Sequence, residues 1–339
     1  MPEASRPLIP VLLCIDVEPD QFCPDPSNPR PWTGFERTVP YLQEFRERMA
    51  AAAGRPVRFV WCLRMGPQIA KVYGSAGWIV EQYPEFVHTA REHGDVLGLH
   101  VHTYRWLEAE RRWDDDLGDP DWVAECLESS TAHYRRLLGD TCRVLRFGNF
   151  WTSTEAVNHA EELGIRYDLT PEPGLPPNTF TPGKPVPTGE LPDFYRIPRV
   201  PYVPSREDYR KPATVPRDIT LIPLTSGKLD LGLDPAEWPR RLSRAIRNGW
   251  GGRDQSIPLS MWRAWSGRNT FDRMLQRALR AQEKPYLALA IHSKFPGAPE
   301  FDAVDASFRA LLESPERKRF WFCSPEEALG VLGGISSST

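Results

Sequence analysis

The side chains best suited to chemistry lie in two short segments roughly eighty residues apart. Asp16, Glu18 and Asp20 alternate at the end of one apolar run, in Cys14-Ile15-Asp16-Val17-Glu18-Pro19-Asp20. His100 and His102 end another, in Gly98-Leu99-His100-Val101-His102-Thr103-Tyr104. Residues i and i+2 of a strand point to the same face, so Asp16 shares a face with Glu18, and His100 with His102. Carboxylates and neutral imidazoles converging at strand ends outline a divalent-metal site, and three protein ligands with one open position leave room for a water. The bland alternatives are carboxylates that cap the turn after the strand, and a hydrogen-bonded histidine pair at a sheet edge. His292 closes a third run, Tyr286-Leu287-Ala288-Leu289-Ala290-Ile291-His292, where it can serve as a general acid or a further ligand. Arg146 ends a fourth and precedes Phe147-Gly148-Asn149-Phe150-Trp151; an arginine there can grip a carboxylate at two points. His88, His93, His133 and His159 fall in expected helices and read as surface residues.

The elements that must position these groups alternate regularly in the first half. Strands are expected over 8–15, 57–63, 96–101, 143–147 and from 165, with helices over 39–53, 78–93, 121–138 and 154–163. A glycine follows each helix, at 54, 94, 139 and 164, as a C-terminal stop. Strands alternating with helices imply a parallel sheet with crossover helices. Residues 171–216 are proline-rich and lack helical periodicity, which reads as an insertion, with an edge strand possible over 194–203. The alternation resumes with a strand over 218–224, helices over 235–248 and 270–282, a strand over 286–292, a helix over 302–312, a strand over 319–323 and a helix over 325–332. Chemistry-bearing strands at both ends of the chain favour one distorted β/α barrel over residues 1–335 rather than two domains, followed by a frayed tail over 336–339.

Composition narrows the function classes. The 339 residues carry a formal net charge of −3, which gives no electrostatic case for nucleic acid or an anionic membrane as partner. No apolar stretch approaches the ~20 residues needed to span a bilayer, and the first residues lack signal-peptide form. The expectation is a soluble, cytoplasmic protein acting on a small-molecule or carbohydrate substrate; oligomeric state leaves no trace in the sequence. Six cysteines without CxxC spacing argue against a disulfide framework and a thiolate zinc site. Twelve tryptophans suit flat sugar faces, although the cluster over 250–265 reads first as packing against the barrel.

The order of these pieces resembles the polysaccharide deacetylase family, carbohydrate esterase family 4. The resemblance rests on the acidic motif at Asp16, the segment Glu92-His93-Gly94-Asp95-Val96-Leu97-Gly98-Leu99-His100, the Arg146-Phe147-Gly148 triplet, Leu163-Gly164-Ile165-Arg166-Tyr167-Asp168, and Leu289-Ala290-Ile291-His292-Ser293. It covers residues 9–170 and 285–330. It implies a distorted (β/α) barrel of seven or eight mostly parallel strands. It also implies a divalent ion, zinc above all, on one carboxylate and two histidines. Carried over, Asp16 resembles the general base, Glu18, His100 and His102 the metal ligands, Arg146 the arginine that positions the base, and His292 the general acid. Three features depart from the pattern. Position 104, where the family's second histidine is expected, is Tyr, so His102 must substitute; the metal carboxylate is Glu18 rather than an aspartate, with Asp20 as competitor; and residues 171–216 match no family motif. The implied activity is metal-dependent removal of an acyl group, acetyl first, from an N-acylated amino sugar or related intracellular conjugate. The alternatives are hydrolysis of a non-sugar C–N bond in a cyclic amide or ureide, and a non-catalytic carbohydrate-binding relict.

Overall fold

Nine consecutive buried residues, Ile9 to Val17, form the first strand, β1 (Ile9–Val17), which has three parallel partners. The structure is a computed structural model that describes residues 6–174, 187–188, 193–228, 256–258, 268–294 and 298–333. After β1 come α1 (Thr33–Ala53), β2 (Val60–Arg64), α2 (Pro67–Tyr73), α3 (Trp78–Gln82), α4 (Pro84–Glu92) and β3 (Val96–Val101). A hairpin of β4 (Tyr104–Leu107) and β5 (Arg112–Asp116) leads to α5 (Pro120–Leu138), β6 (Val144–Phe147), α6 (Thr154–Glu162) and β7 (Tyr167–Asp168). Then follow β8 (Pro187–Thr188), β9 (Thr220–Leu221), β10 (Ser226–Lys228), β11 (Ser256–Pro258) and α7 (Arg268–Ala281). The last elements are β12 (Leu287–His292), α8 (Ala298–Glu313), β13 (Phe320–Phe322) and α9 (Pro325–Leu332).

The principal sheet runs β12-β1-β2-β3-β6-β7-β9, with β13 on the first residues of β1, and all of these pairings are parallel. Its two edges meet just past β9. The Thr225 N–H donates to the Ala288 carbonyl at 2.8 Å, and Thr225 Oγ1 accepts from the Ala288 N–H at 2.9 Å. The architecture is therefore the distorted barrel that the strand–helix alternation implies.

Period two divides each strand between two cores. Ile9, Val11, Leu13, Ile15 and Val17 face outward with Trp61, Leu63, Leu97 and Leu99, and pack under Phe35 and Phe45 of α1. Leu12, Cys14, Val60, Cys62, Val144, Ala288 and Ala290 fill the barrel interior. Several of these positions are small, and the strands curl close together there. At Gly98 a Cβ would lie only 2.8 Å from the Val144 carbonyl oxygen. Continued to the strand ends, the interior positions become Asp16, Arg64, His100, Arg146 and His292. Register sets them on two successive levels: Asp16 lies across from His292 and from Cys62, and two residues further along β2 Arg64 lies across from His100, and His100 from Arg146.

Several elements differ from the sequence expectation. The helix expected over 78–93 is two, α3 and α4, because Pro84 drives Tyr83 out of the helical region, to φ −125° and ψ 60°. Helix α1 starts six residues before position 39, with Pro40 inside it. The expected edge strand over 194–203 contributes only an isolated antiparallel bridge between Tyr202 and Leu221. The expected helix over 235–248, most of the tryptophan cluster and the tail after 333 lie outside the described residues. Among the described residues no helix is long and apolar enough to cross a membrane, and Cys14, Cys62, Cys126, Cys142 and Cys323 form no disulfide.

Asp95, at the start of β3, fastens the barrel to α1. Its buried carboxylate receives Arg46 Nη1 at 2.9 Å and Nη2 at 2.6 Å, the Phe59 N–H at 2.9 Å and Trp61 Nε1 at 2.8 Å. Asp95→Ala would leave Arg46 buried without its countercharge, which costs about 3–5 kcal/mol. Urea unfolding of the variant should read that loss; a loss under about 1 kcal/mol would mean that the clamp is not structural.

Candidate active site and metal cluster

Asp16 and Glu18 are each 1% exposed, and both are held by side chains from neighbouring strand ends. Arg146 of β6 donates Nε–H to both Asp16 oxygens at 3.1 Å, sends Nη1 to the Leu169 carbonyl at 2.9 Å, and reaches Glu172 with Nη2 at 3.3 Å. The expected two-point grip is thus one N–H shared by two oxygens, because the other guanidinium nitrogens serve the end of β7 and Glu172. Burial alone raises the Asp16 carboxyl. Arg146 foremost, then His100 at 3.6 Å and His292 at 3.8 Å, outweigh burial and hold the pKa below the ordinary carboxylate value.

Glu18 follows the last residue of β1. Arg64 of β2 donates to its Oε2 at 2.9 Å, while Lys294 Nζ at 2.8 Å and His292 Nδ1 at 2.5 Å reach Oε1. The Glu18 N–H donates to Ser293 Oγ at 3.1 Å. Burial pushes this carboxyl up, and Lys294 and His292 together pull it well below the ordinary value.

His100 lies in β3, and His102 follows its last residue. His100 donates Nδ1–H to the Arg146 carbonyl at 3.0 Å, which leaves Nε2 as its lone-pair nitrogen. That Nε2 faces His102 Nε2 at 2.9 Å. The His102 ring lies against Tyr104, centroids 5.3 Å apart at 18°, and over Gly148, where a Cβ would come within 2.1 Å of Nε2. This contact explains the glycine of the Arg146-Phe147-Gly148 triplet: a side chain there would displace a candidate ligand. Burial depresses the His100 pKa to about 4 and that of His102 well below its usual value, so both are neutral imidazoles at pH 7.

Glu18, His100 and His102 each offer one donor atom, all within 4.8 Å of one another. Two facing Nε2 atoms, one already a lone pair, and a His102 Nδ1 buried without a hydrogen-bond partner are an arrangement that a shared cation suits. Two nitrogens and one oxygen fit a first-row divalent ion. Asp20 lies outside the cluster. It accepts from Thr33 Oγ1 and from the Gly34 N–H at 2.8 Å, and so caps α1. Of the two carboxylates that compete in the sequence, Glu18 is therefore the one placed beside the histidines.

Sequence reasoning missed Arg64, Lys294 and Glu172. Arg64 was legible, since a cation closing an otherwise apolar strand obeys the same rule as Asp16 and Arg146. Lys294 and Glu172 lie past their strand ends, where period two no longer applies. Lys294 and His292 are the more exposed groups of the cluster, at 16% and 19%.

In comparison with solved structures, the chain is similar to a protein of Parabacteroides distasonis named as a glycoside hydrolase/deacetylase, at TM-score 0.54 and 14% identity, over 96% of this chain and 71% of that one. It also matches a Mycobacterium smegmatis protein named as a polysaccharide deacetylase, at TM-score 0.49 and 12% identity, over 98% and 93% of the two chains. A Puue allantoinase matches at TM-score 0.49 and 12% identity, over 99% and 96%. No protein-family profile and no curated protein sequence matches the chain. The chain shares the fold of the Parabacteroides distasonis protein.

Acid should destabilise the protein earlier than carboxylate protonation alone would. An unfolded histidine takes up a proton near pH 6.5, whereas folded His100 does so only near 4. Between those values the unfolded state binds more protons, so stability rises with pH across the window and is fully present above it. In EDTA, the free energy of unfolding should fall from pH 7 to 5 by up to about 1 kcal/mol per pH unit for each buried histidine. The His100→Asn/His102→Asn variant should lose most of that slope. A wild-type slope near zero, or one unchanged in the variant, would contradict the buried neutral state.

Proposed function

We propose that the chain is a metal-dependent hydrolase, a divergent polysaccharide deacetylase, that removes an acyl group, acetyl first, from an N-acylated amino sugar or related conjugate. The observation that carries this reading is the buried, ionised Asp16 set beside a Glu–His–His donor cluster, with a partly exposed histidine against Glu18. Zinc or a similar ion on Glu18, His100 and His102 would lower the pKa of water and polarise the scissile carbonyl.

The remaining roles belong to the chain's own residues. Asp16 takes the proton of the attacking water. Arg146 keeps Asp16 ionised and aimed, and Glu172 and the Leu169 carbonyl in turn fix the guanidinium. His292 has its Nδ1 engaged by Glu18, so Nε2 is the nitrogen that serves the departing amine. Water adds its oxygen to the acyl carbon, the C–N bond breaks, and the amine leaves with a proton. His292 Nδ1 lies 3.8 Å from Asp16 Oδ2, so base and acid act on neighbouring atoms of one substrate.

The test is acetate release by the zinc-loaded protein from N-acetylglucosamine oligomers and conjugates, with cyclic ureides in the same panel. Turnover of an N-acetyl sugar is expected, and Asp16→Asn should lower kcat by about 10²–10⁴ with KM little changed. Ureide turnover with the sugars untouched would transfer the reading to non-sugar C–N bonds. An Asp16→Asn variant as active as wild type would remove Asp16 as the base.

A further inference from the structure

We infer that Lys294 is a built-in competitor for the Glu18 carboxylate, and that metal affinity is set by how readily its ammonium gives way. The inference rests on the reading of Glu18, His100 and His102 as metal ligands. Lys294 Nζ sits 2.8 Å from Glu18 Oε1, on a group that offers one of the three donor atoms. The other oxygen, Oε2, lies 3.9 Å from His102 Nε2 and is engaged by Arg64, whose side chain is 1% exposed, so Lys294 competes for the charge of the carboxylate and not for that oxygen.

The lysine is placed by the fold rather than free at the surface. The Ser293 N–H donates to the Asp16 carbonyl at 2.8 Å, and the Ser293 carbonyl accepts from Thr38 Oγ1 at 2.7 Å. A Cβ at Gly34 would lie 2.8 Å from Lys294 Cα, so the start of α1 is cut back to let this backbone pass. The ammonium also lies 5.0 Å from the centroid of the Phe22 ring. The peptide at 293–294 is thus pinned from both β1 and α1, and the side chain is aimed at Glu18.

Charge gives the lysine its effect. Asp16, Glu18 and Glu172 are matched by Arg64, Arg146 and Lys294 in one buried cluster. A divalent ion would add two positive charges beside these three cations, in surroundings where like charges repel strongly. Arg64 and Arg146 are buried and fixed by several partners. Lys294 is partly exposed and carries a compact charge on a flexible stem, so it is the cation that can leave.

The experiment is a Co²⁺ titration of the EDTA-stripped full chain, followed by the visible absorption of bound cobalt and by calorimetry. Wild type, Lys294→Met, Lys294→Arg and His102→Ala are compared, with thermal melting in EDTA to confirm that each is folded. Lys294→Met should bind cobalt on the order of tenfold more tightly than wild type, Lys294→Arg should stay within about threefold of it, and His102→Ala should lose the site. Equal or weaker binding by Lys294→Met, still abolished by His102→Ala, overturns the role of Lys294 and leaves the metal site intact. Binding by none of the proteins, or binding indifferent to His102→Ala, removes the metal-site reading and the inference with it.

Discussion

Two carboxylates buried at the end of a central strand would carry a heavy desolvation cost if they stood alone. Asp16 and Glu18 are kept ionised by cations delivered from the neighbouring strand ends: Arg146 from β6, Arg64 from β2, and Lys294 just past β12. The mouth of the barrel is organised around this requirement. Parallel pairing in register brings Arg64, His100 and Arg146 to one level, and a register slip by a single residue would turn each of them out into the helix layer.

The packing beneath serves the same end. Small interior residues, Cys14, Cys62, Gly98, Ala288 and Ala290, let the strands close tightly, so that polar side chains stacked above them meet at hydrogen-bond distance. Gly148 leaves the space that the His102 ring occupies, and Tyr104 covers its other face. The histidines are held neutral by burial while the carboxylates are held charged by their partners. These are the protonation states that a metal cluster and a proton acceptor each need.

Much of this was legible in the sequence because strand periodicity is strict. The apolar runs that end in Asp16, His100, Arg146 and His292 are strands, and the glycines at 54 and 139 do end helices in the left-handed conformation. What was not legible depends on contacts between distant segments. The hairpin of β4 and β5 is too short for its alternation to stand out, and α2 has only seven residues. Asp20, Glu18 and Asp16 look equivalent in sequence; only the position of the α1 N-terminus turns Asp20 into a cap. Lys294 sits in an irregular segment whose course is fixed by Thr38 and Gly34, and no local pattern announces that.

The central proposal is that ionised Glu18 and the neutral histidines His100 and His102 at the barrel mouth hold one divalent ion. Elemental analysis tests it most directly. The protein is incubated with zinc and freed of excess by gel filtration, with a folded His100→Ala/His102→Ala variant alongside. The account expects about one first-row ion per chain in the wild type and none in the variant. No metal in either protein after reconstitution, or equal metal in both, would contradict it.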